Sequence, residues 1–301
     1  MADARTGGIE VGEQLAVTTR LQLARATLKF AKRKPLGAFG GLLVLVFIVV
    51  AVLAPLIAPY DPNELFSEHQ LEAPGPGFLL GTDNYGRDVL SRVIFGAQIS
   101  MYVGIVAVGV GIAAATTIGV VSGYFAGRVD MVIQRIVDTI MCFPCLILML
   151  TLMTILGAGM TNVAFALAIT LTFGNSRVVR SAVLSIKENQ YMEAARAIGC
   201  SNFDIVFRYV LPNVFAPIIV IATIGLGRVI LAESSLSFLG FGVPPPAPSW
   251  GGVIGGPGRE YLVQAPWIAT FSGIAISLSV FGFNMLGDAL RDVLDPRLRG
   301  S

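Results

Sequence analysis

Few side chains in this 301-residue chain could do covalent chemistry, and their spacing argues against it. Cys142 and Cys145 have the C-x-x-C spacing of a redox pair, but they sit in an apolar run with Pro144 between them. They read as two thiols packed in a membrane segment. His69 is the only histidine, and no Cys/His cluster occurs, so no metal site is expected. The glycine-rich loop ending in Lys-Ser/Thr that cradles nucleotide phosphates does not occur either. No residue is assigned a catalytic role, and no cofactor is expected on the chain itself. The informative polar residues are of another kind. Arg228 and Glu233 lie inside a long apolar run, and residues 191–213 form an island of polar and small residues between two such runs. Charges in lipid are costly and mark transport paths or subunit contacts. A polar island of this kind suits docking.

The elements that must position these residues are membrane spans. The chain is 54% hydrophobic and only 13% charged, against roughly 25% charged in soluble domains. Its mean hydropathy is +0.76. The net charge of +2 gives no reason to expect nucleic acid as a partner. About 20 apolar residues cross the hydrocarbon core. Six runs qualify: 36–58, 99–122, 135–157, 161–182, 213–239 and 266–287. The fold expected is an all-α membrane protein of six transmembrane helices.

Loop charge sets orientation. Arg20, Arg25, Lys29, Lys32, Arg33 and Lys34 precede the first run; Arg177, Arg180, Lys187, Arg196 and Arg208 cluster around 175–210; Arg291, Arg297 and Arg299 lie in the tail. The loop at 59–98 instead carries Asp61, Glu64, Glu68, Glu72, Asp83 and Asp88 against Arg87 and Arg92. Both termini and the island are therefore expected on the cytoplasmic side. In residues 15–34, Leu21, Ala24 and Leu28 recur at helical spacing among basic residues, an amphipathic helix lying on the membrane lipid. The organisation expected is a cytoplasmic segment over 1–35, the first span and outer loop over 36–98, a five-span core over 99–290, and a cytoplasmic tail over 291–301.

Within the island, Glu193-Ala194-Ala195-Arg196-Ala197-Ile198 favours helix, and Gly199 is suited to the position just past its end. Ser201 with Asp204 three residues on starts a second helix, a capping box with Asp for the usual Glu. Pro212 fits the first turn of the next span. Three alanines make the first helix thin, and Glu193 offers a carboxylate near its start.

Glu193-Ala194-Ala195, Gly199 and Leu211-Pro212 together resemble the EAA signature of ABC importer permeases. Other stretches resemble the C-type permease of the dipeptide/oligopeptide branch, which also takes in nickel transporters. They are Gly81-Thr82-Asp83-Asn84-Tyr85-Gly86-Arg87-Asp88 with Ser91-Arg92, Gly96 and Ser100; Ser237-Phe238-Leu239-Gly240-Phe241-Gly242 with Pro244-Pro245 and Pro248-Ser249-Trp250-Gly251; and Gly287-Asp288-Ala289-Leu290-Arg291-Asp292 with Asp295-Pro296-Arg297. The resemblance covers about residues 36–299. It implies the type I importer bundle in a bacterial inner membrane, with a coupling helix at about 190–205. Glu193, Ala194, Ala195, Arg196, Gly199, Leu211 and Pro212 would contact an ATPase. Two ATP-binding subunits or domains (carrying ATP and magnesium), a second homologous permease and an extracytoplasmic peptide-binding protein are implied as partners. Peptide uptake by alternating access is the implied function. Nickel or a metal chelate is the alternative substrate, and an ion-coupled secondary transporter the competitor from another class. Tyr209 stands where the family often has His, and Gln98 where it often has Arg.

In the outer segment, Asp83, Gly86, Arg87, Asp88 and Trp250 are candidates for an extracytoplasmic rim or a supporting lid. A short helix from Asp88, with Asp88 and Arg92 paired at i,i+4, is expected to lie at the outer interface. Trp250 reads as an interfacial anchor. Arg228 and Glu233 are about 140° apart around a helix and so do not pair. Either could line the path or touch another subunit. Gly104, Gly109, Gly111, Gly119, Gly225 and Gly227 read as packing positions.

Overall fold

The computed structural model describes residues 34–294. The helix expected over 15–34, save Lys34, and the motif Asp295-Pro296-Arg297 lie outside the described residues. Five helices are long and apolar enough to cross a membrane, or six if one bent pair counts as a span. The only β feature among the described residues is an isolated bridge between Thr82 and Asp88.

α1 (Pro35–Val52) starts on a proline, whose missing N–H is harmless in a first turn. A one-turn helix, α2 (Ala54–Ile57), follows. α3 (Val89–Phe125) runs for 37 residues, about 55 Å. The expected interfacial helix and second span are therefore one helix. Asp88 does not pair with the Arg92 side chain; it caps the helix instead, accepting from the Ser91 N–H at 2.7 Å and the Ser91 hydroxyl at 2.6 Å.

α4 (Gly127–Met141) and α5 (Cys145–Leu156) meet at an 88° bend. The span expected over 135–157 is broken by this bend. Pro144 cannot donate a helical hydrogen bond and turns Phe143 away from helical geometry. Cys142 and Cys145 flank the bend and are exposed on the surface of the chain, not packed inside it.

α6 (Met160–Lys187) leads to α7 (Gln190–Ala197) and α8 (Asn202–Ile205). A π-helical turn, Val206–Val210, joins α8 to α9 (Leu211–Phe238) without a break. The second island helix and the fifth span thus form one continuous rod over 202–238. The wide turn falls where Pro212 has no N–H to give to the turn before it. α10 (Trp250–Val253), a second π turn (Ile254–Gly258) and α11 (Pro266–Leu294) complete the chain.

Glycines set the spacing of the bundle. A Cβ on Gly111 would fall 2.8 Å from the Ala168 carbonyl oxygen, and one on Gly119 2.7 Å from that of Ser176, so α3 and α6 touch backbone to backbone. α1 lies on α11 through Gly40, where a Cβ would meet that of Met285 at 2.5 Å. Gly104, Gly225 and Gly227 seat α9 against α3 and α11, while Gly109 faces open space.

The two ends of the bundle differ. Residues 58–88 and 239–265 fold over one end, tied by Tyr60 N–H to Ser91 Oγ at 3.1 Å and Trp267 Nε1 to the Thr82 carbonyl at 3.1 Å. At the other end lie α7, α8 and the turn at Ala126. There too the start of α1 meets the end of α11, through Lys34 Nζ and Asp292 Oδ2 at 2.6 Å.

Candidate coupling surface

α7 is anchored by two residues three apart. Met192 and Ala195 are buried in a cluster with Val120, Tyr124, Val179, Val183, Ile205, Val210 and Val214. That spacing puts both on one helix face. Glu193, Ala194, Arg196 and Ala197 occupy the rest and are exposed. Of the expected contact residues, Ala195 therefore faces the bundle. Leu211 packs against the same cluster, while Pro212 is exposed.

The helix ends in a local motif. Gly199 adopts φ +83°, the left-handed conformation that glycine takes without strain. Its N–H reaches the Arg196 carbonyl at 3.0 Å, and Cys200 N–H reaches that of Ala195 at 3.1 Å. This is a Schellman closure. Ser201 then caps α8, accepting from the Asp204 N–H at 3.1 Å and donating to its carboxylate at 2.6 Å. A serine cap of this type contributes about 1 kcal/mol. Ile198 and Phe203 are left 77% and 71% exposed. Phe203 packs tilted against Phe207 with ring centres 4.3 Å apart, and Tyr209 stacks on Tyr191 at 6.5 Å.

A polar base holds this segment. The Tyr124 hydroxyl donates to Asn202 Oδ1 at 2.7 Å, and Lys187 Nζ donates to the Tyr124 carbonyl at 2.8 Å. One residue at the end of α3 thus grips the chain on both sides of α7. Beside it, Arg180 Nε donates to Asp130 at 2.6 Å, and Asp130 also accepts from Ser122. Tyr124, Lys187, Asn202, Asp130 and Arg180 were not legible as a set, because they come from four separate stretches of sequence.

The capped end is built the opposite way. Asp83 accepts from Arg87 Nε at 2.7 Å and from the N–H groups of Tyr85 and Arg87 at 2.8 and 3.0 Å. Arg92 lies 3.8 Å from it and donates to the Pro62 carbonyl at 3.0 Å. All three side chains and that of Asp88 are buried. Gly86 has φ +78°, and a Cβ there would lie 2.0 Å from the Phe66 carbonyl oxygen. Trp250 is buried against Phe47 and donates to the Val93 carbonyl at 2.8 Å. This corrects its reading as an interfacial anchor. Arg87 still borders an open cleft of about 590 Å³ beneath Pro244, Pro245 and Pro246. The rim residues otherwise form an internal frame.

Glu233 and Arg228 face different ways on α9. Glu233 is fully buried and accepts from the Ser237 hydroxyl at 2.7 Å. Arg228 is exposed and makes no hydrogen bond or ion pair among the described residues.

Residues 115–300 match the model of the "binding-protein-dependent transport system inner membrane component" family. Residues 22–74 match the N-terminal transmembrane domain of oligopeptide transport permease C. The chain belongs to this family. It is a multi-pass inner-membrane permease component of the ABC-importer class, and the family is not itself enzymatic. Curated relatives match at nearly full length. The dipeptide transport system permease protein of Alkalihalophilus pseudofirmus is 39% identical over 275 residues, 91% of this chain and 90% of the relative. The di/tripeptide permease of Pseudomonas aeruginosa is 39% identical over 279 residues, 90% and 91% of the two chains. The glutathione permease of Pectobacterium atrosepticum is 40% identical over 268 residues, 89% of each. In the permease, α7 to α9 carry Glu193-Ala194-Ala195, Gly199 and Leu211-Pro212.

Proposed function

We propose that this permease carries short peptides inward as one of two homologous membrane subunits of an ATP-driven importer. Two ATPases on the cytoplasmic face would bind ATP and magnesium, and a peptide-binding protein would deliver substrate to the capped end. The start of α1, the end of α11 and the α7–α8 segment would face the cytoplasm. Arg128, Arg177, Arg180, Lys187, Arg196 and Arg208, all near that end, support this orientation. The substrate class is supported by relatives named for dipeptides, di/tripeptides and glutathione.

The observation that carries the reading is the build of the α7 surface. An exposed helix face of Glu193, Ala194, Arg196 and Ala197 sits on a fixed base and ends beside exposed Ile198 and Phe203. Small residues let a partner's backbone approach closely, and the two apolar side chains would be covered by it. When the ATPases close on ATP, a helix seated in their cleft moves with them. The continuous rod over 202–238 would carry that movement into the fifth span. A ligand shifts such an equilibrium only by differential affinity for its states. Here the ATPases' preference would be relayed by rigid contact.

The test is reconstitution of the permease pair, both ATPases and the binding protein in proteoliposomes. ATP-dependent uptake of a dipeptide, and co-purification of the ATPases with this chain, are expected. Uptake driven by an ion gradient without ATP would refute the reading.

A further inference from the structure

We infer that Arg228 is a substrate-recognition residue, holding the carboxylate of a peptide part-way through the membrane. The inference rests on the peptide reading above. Arg228 lies ten residues before the end of α9 at Phe238 and seventeen after its start at Leu211. That is about 15 Å and 26 Å from the two ends, so no headgroup region is within easy reach. Its guanidinium is exposed and has no partner among the described residues. An arginine at this depth facing hydrocarbon is strongly disfavoured. The face it occupies must therefore be wet or meet an anion.

Among the described residues no anion is paired with it. Glu233, the nearest carboxylate along α9, points about 140° away and is fully buried on Ser237. A second observation points to a wet face. Arg228, Leu231 and Ser235 recur at spacings of three and four on one stripe and none is buried, whereas Ile221 and Ile224, further along the same stripe, pack on the core and against Gly287 of α11. Pro217 removes the helical donor from the Asn213 carbonyl on that stripe. Asn213 and Ser235 lie below and above, each donating to a carbonyl of its own helical segment, Tyr209 at 2.7 Å and Leu231 at 2.8 Å. The open part of the stripe around Arg228 is the part a hydrated peptide could pass. Every free peptide has one group that matches a guanidinium in charge and in bidentate geometry, its terminal carboxylate.

The test compares uptake of dialanine and of its C-terminal amide by the complete importer, wild type and Arg228→Gln, with Arg228→Lys as the conservative variant. The acid-to-amide uptake ratio should fall roughly tenfold in Arg228→Gln, the loss of a charge-assisted pair. Arg228→Lys should restore part of it. The binding protein's own preference is common to all variants and cancels in this comparison. Equal loss of both substrates, an unchanged ratio, or failure of Arg228→Gln to assemble with the second permease would each overturn the inference. The last outcome would make Arg228 a subunit contact. A wild-type importer that takes up neither compound would fail the peptide reading itself.

Discussion

The capped end and the α7–α8 end are both polar, and both turn on a glycine in the left-handed region. They use these features for opposite purposes. At the cap, Asp83, Arg87, Asp88 and Arg92 are buried and answer one another or nearby backbone. At the other end, Glu193 and Arg196 are exposed and make no ion pair among the described residues. A Cβ on Gly86 would lie 2.0 Å from the Phe66 carbonyl oxygen, whereas one on Gly199 would meet nothing within 4 Å. A polar residue that is enclosed and satisfied serves the fold. One that is exposed on a rigid base is free to serve a partner. Substitutions should therefore separate the two ends, with stability lost at one and transport at the other.

The largest effect on the fold is expected at Gly86→Val. Positive φ alone costs roughly 1–3 kcal/mol, and the clash with Phe66 adds to it. Folded protein in detergent should fall sharply, as read by size-exclusion and thermal melting. Asp83→Asn leaves Arg87 buried without its anion and should destabilise by about 3–5 kcal/mol. Gly199→Val meets no neighbour, so only the backbone strain remains, about 1–2 kcal/mol. Its melting temperature should move little while ATP-dependent uptake is lost. Tyr124→Phe removes one hydrogen bond, about 1 kcal/mol. It should lower the peptide imported per ATP hydrolysed while leaving the ATPases bound. Equal stability losses at Gly86 and Gly199 would dissolve the contrast between the ends.

Legibility followed the same divide. The Gly199 closure and the Ser201–Asp204 cap are local motifs, set by residues three or four apart, and they could be read directly. So could the helical class, because apolar runs of about 20 residues leave little choice. Features decided by competition or distance could not. Asp88 was open to a cap or an ion pair, and the unpaired N–H groups at the start of α3 took it. Trp250 has the composition of an interfacial anchor, but the hole above Gly96, invisible in sequence, draws it inside; a Cβ on Gly96 would sit 2.4 Å from its ring. Pro144 did signal the break between α4 and α5. The length of the apolar run around it hid the signal. The π turn at Val206–Val210 has no signature beyond Pro212 following it.

The most direct test of the account is ATP-dependent dipeptide uptake by the Glu193→Lys permease in the complete importer. Glu193 is exposed and makes no hydrogen bond or ion pair among the described residues, so membrane insertion and melting temperature should match wild type. Uptake should be abolished, with the ATPases bound more weakly. Normal uptake in this variant would contradict the claim that this face couples the permease to its energy source.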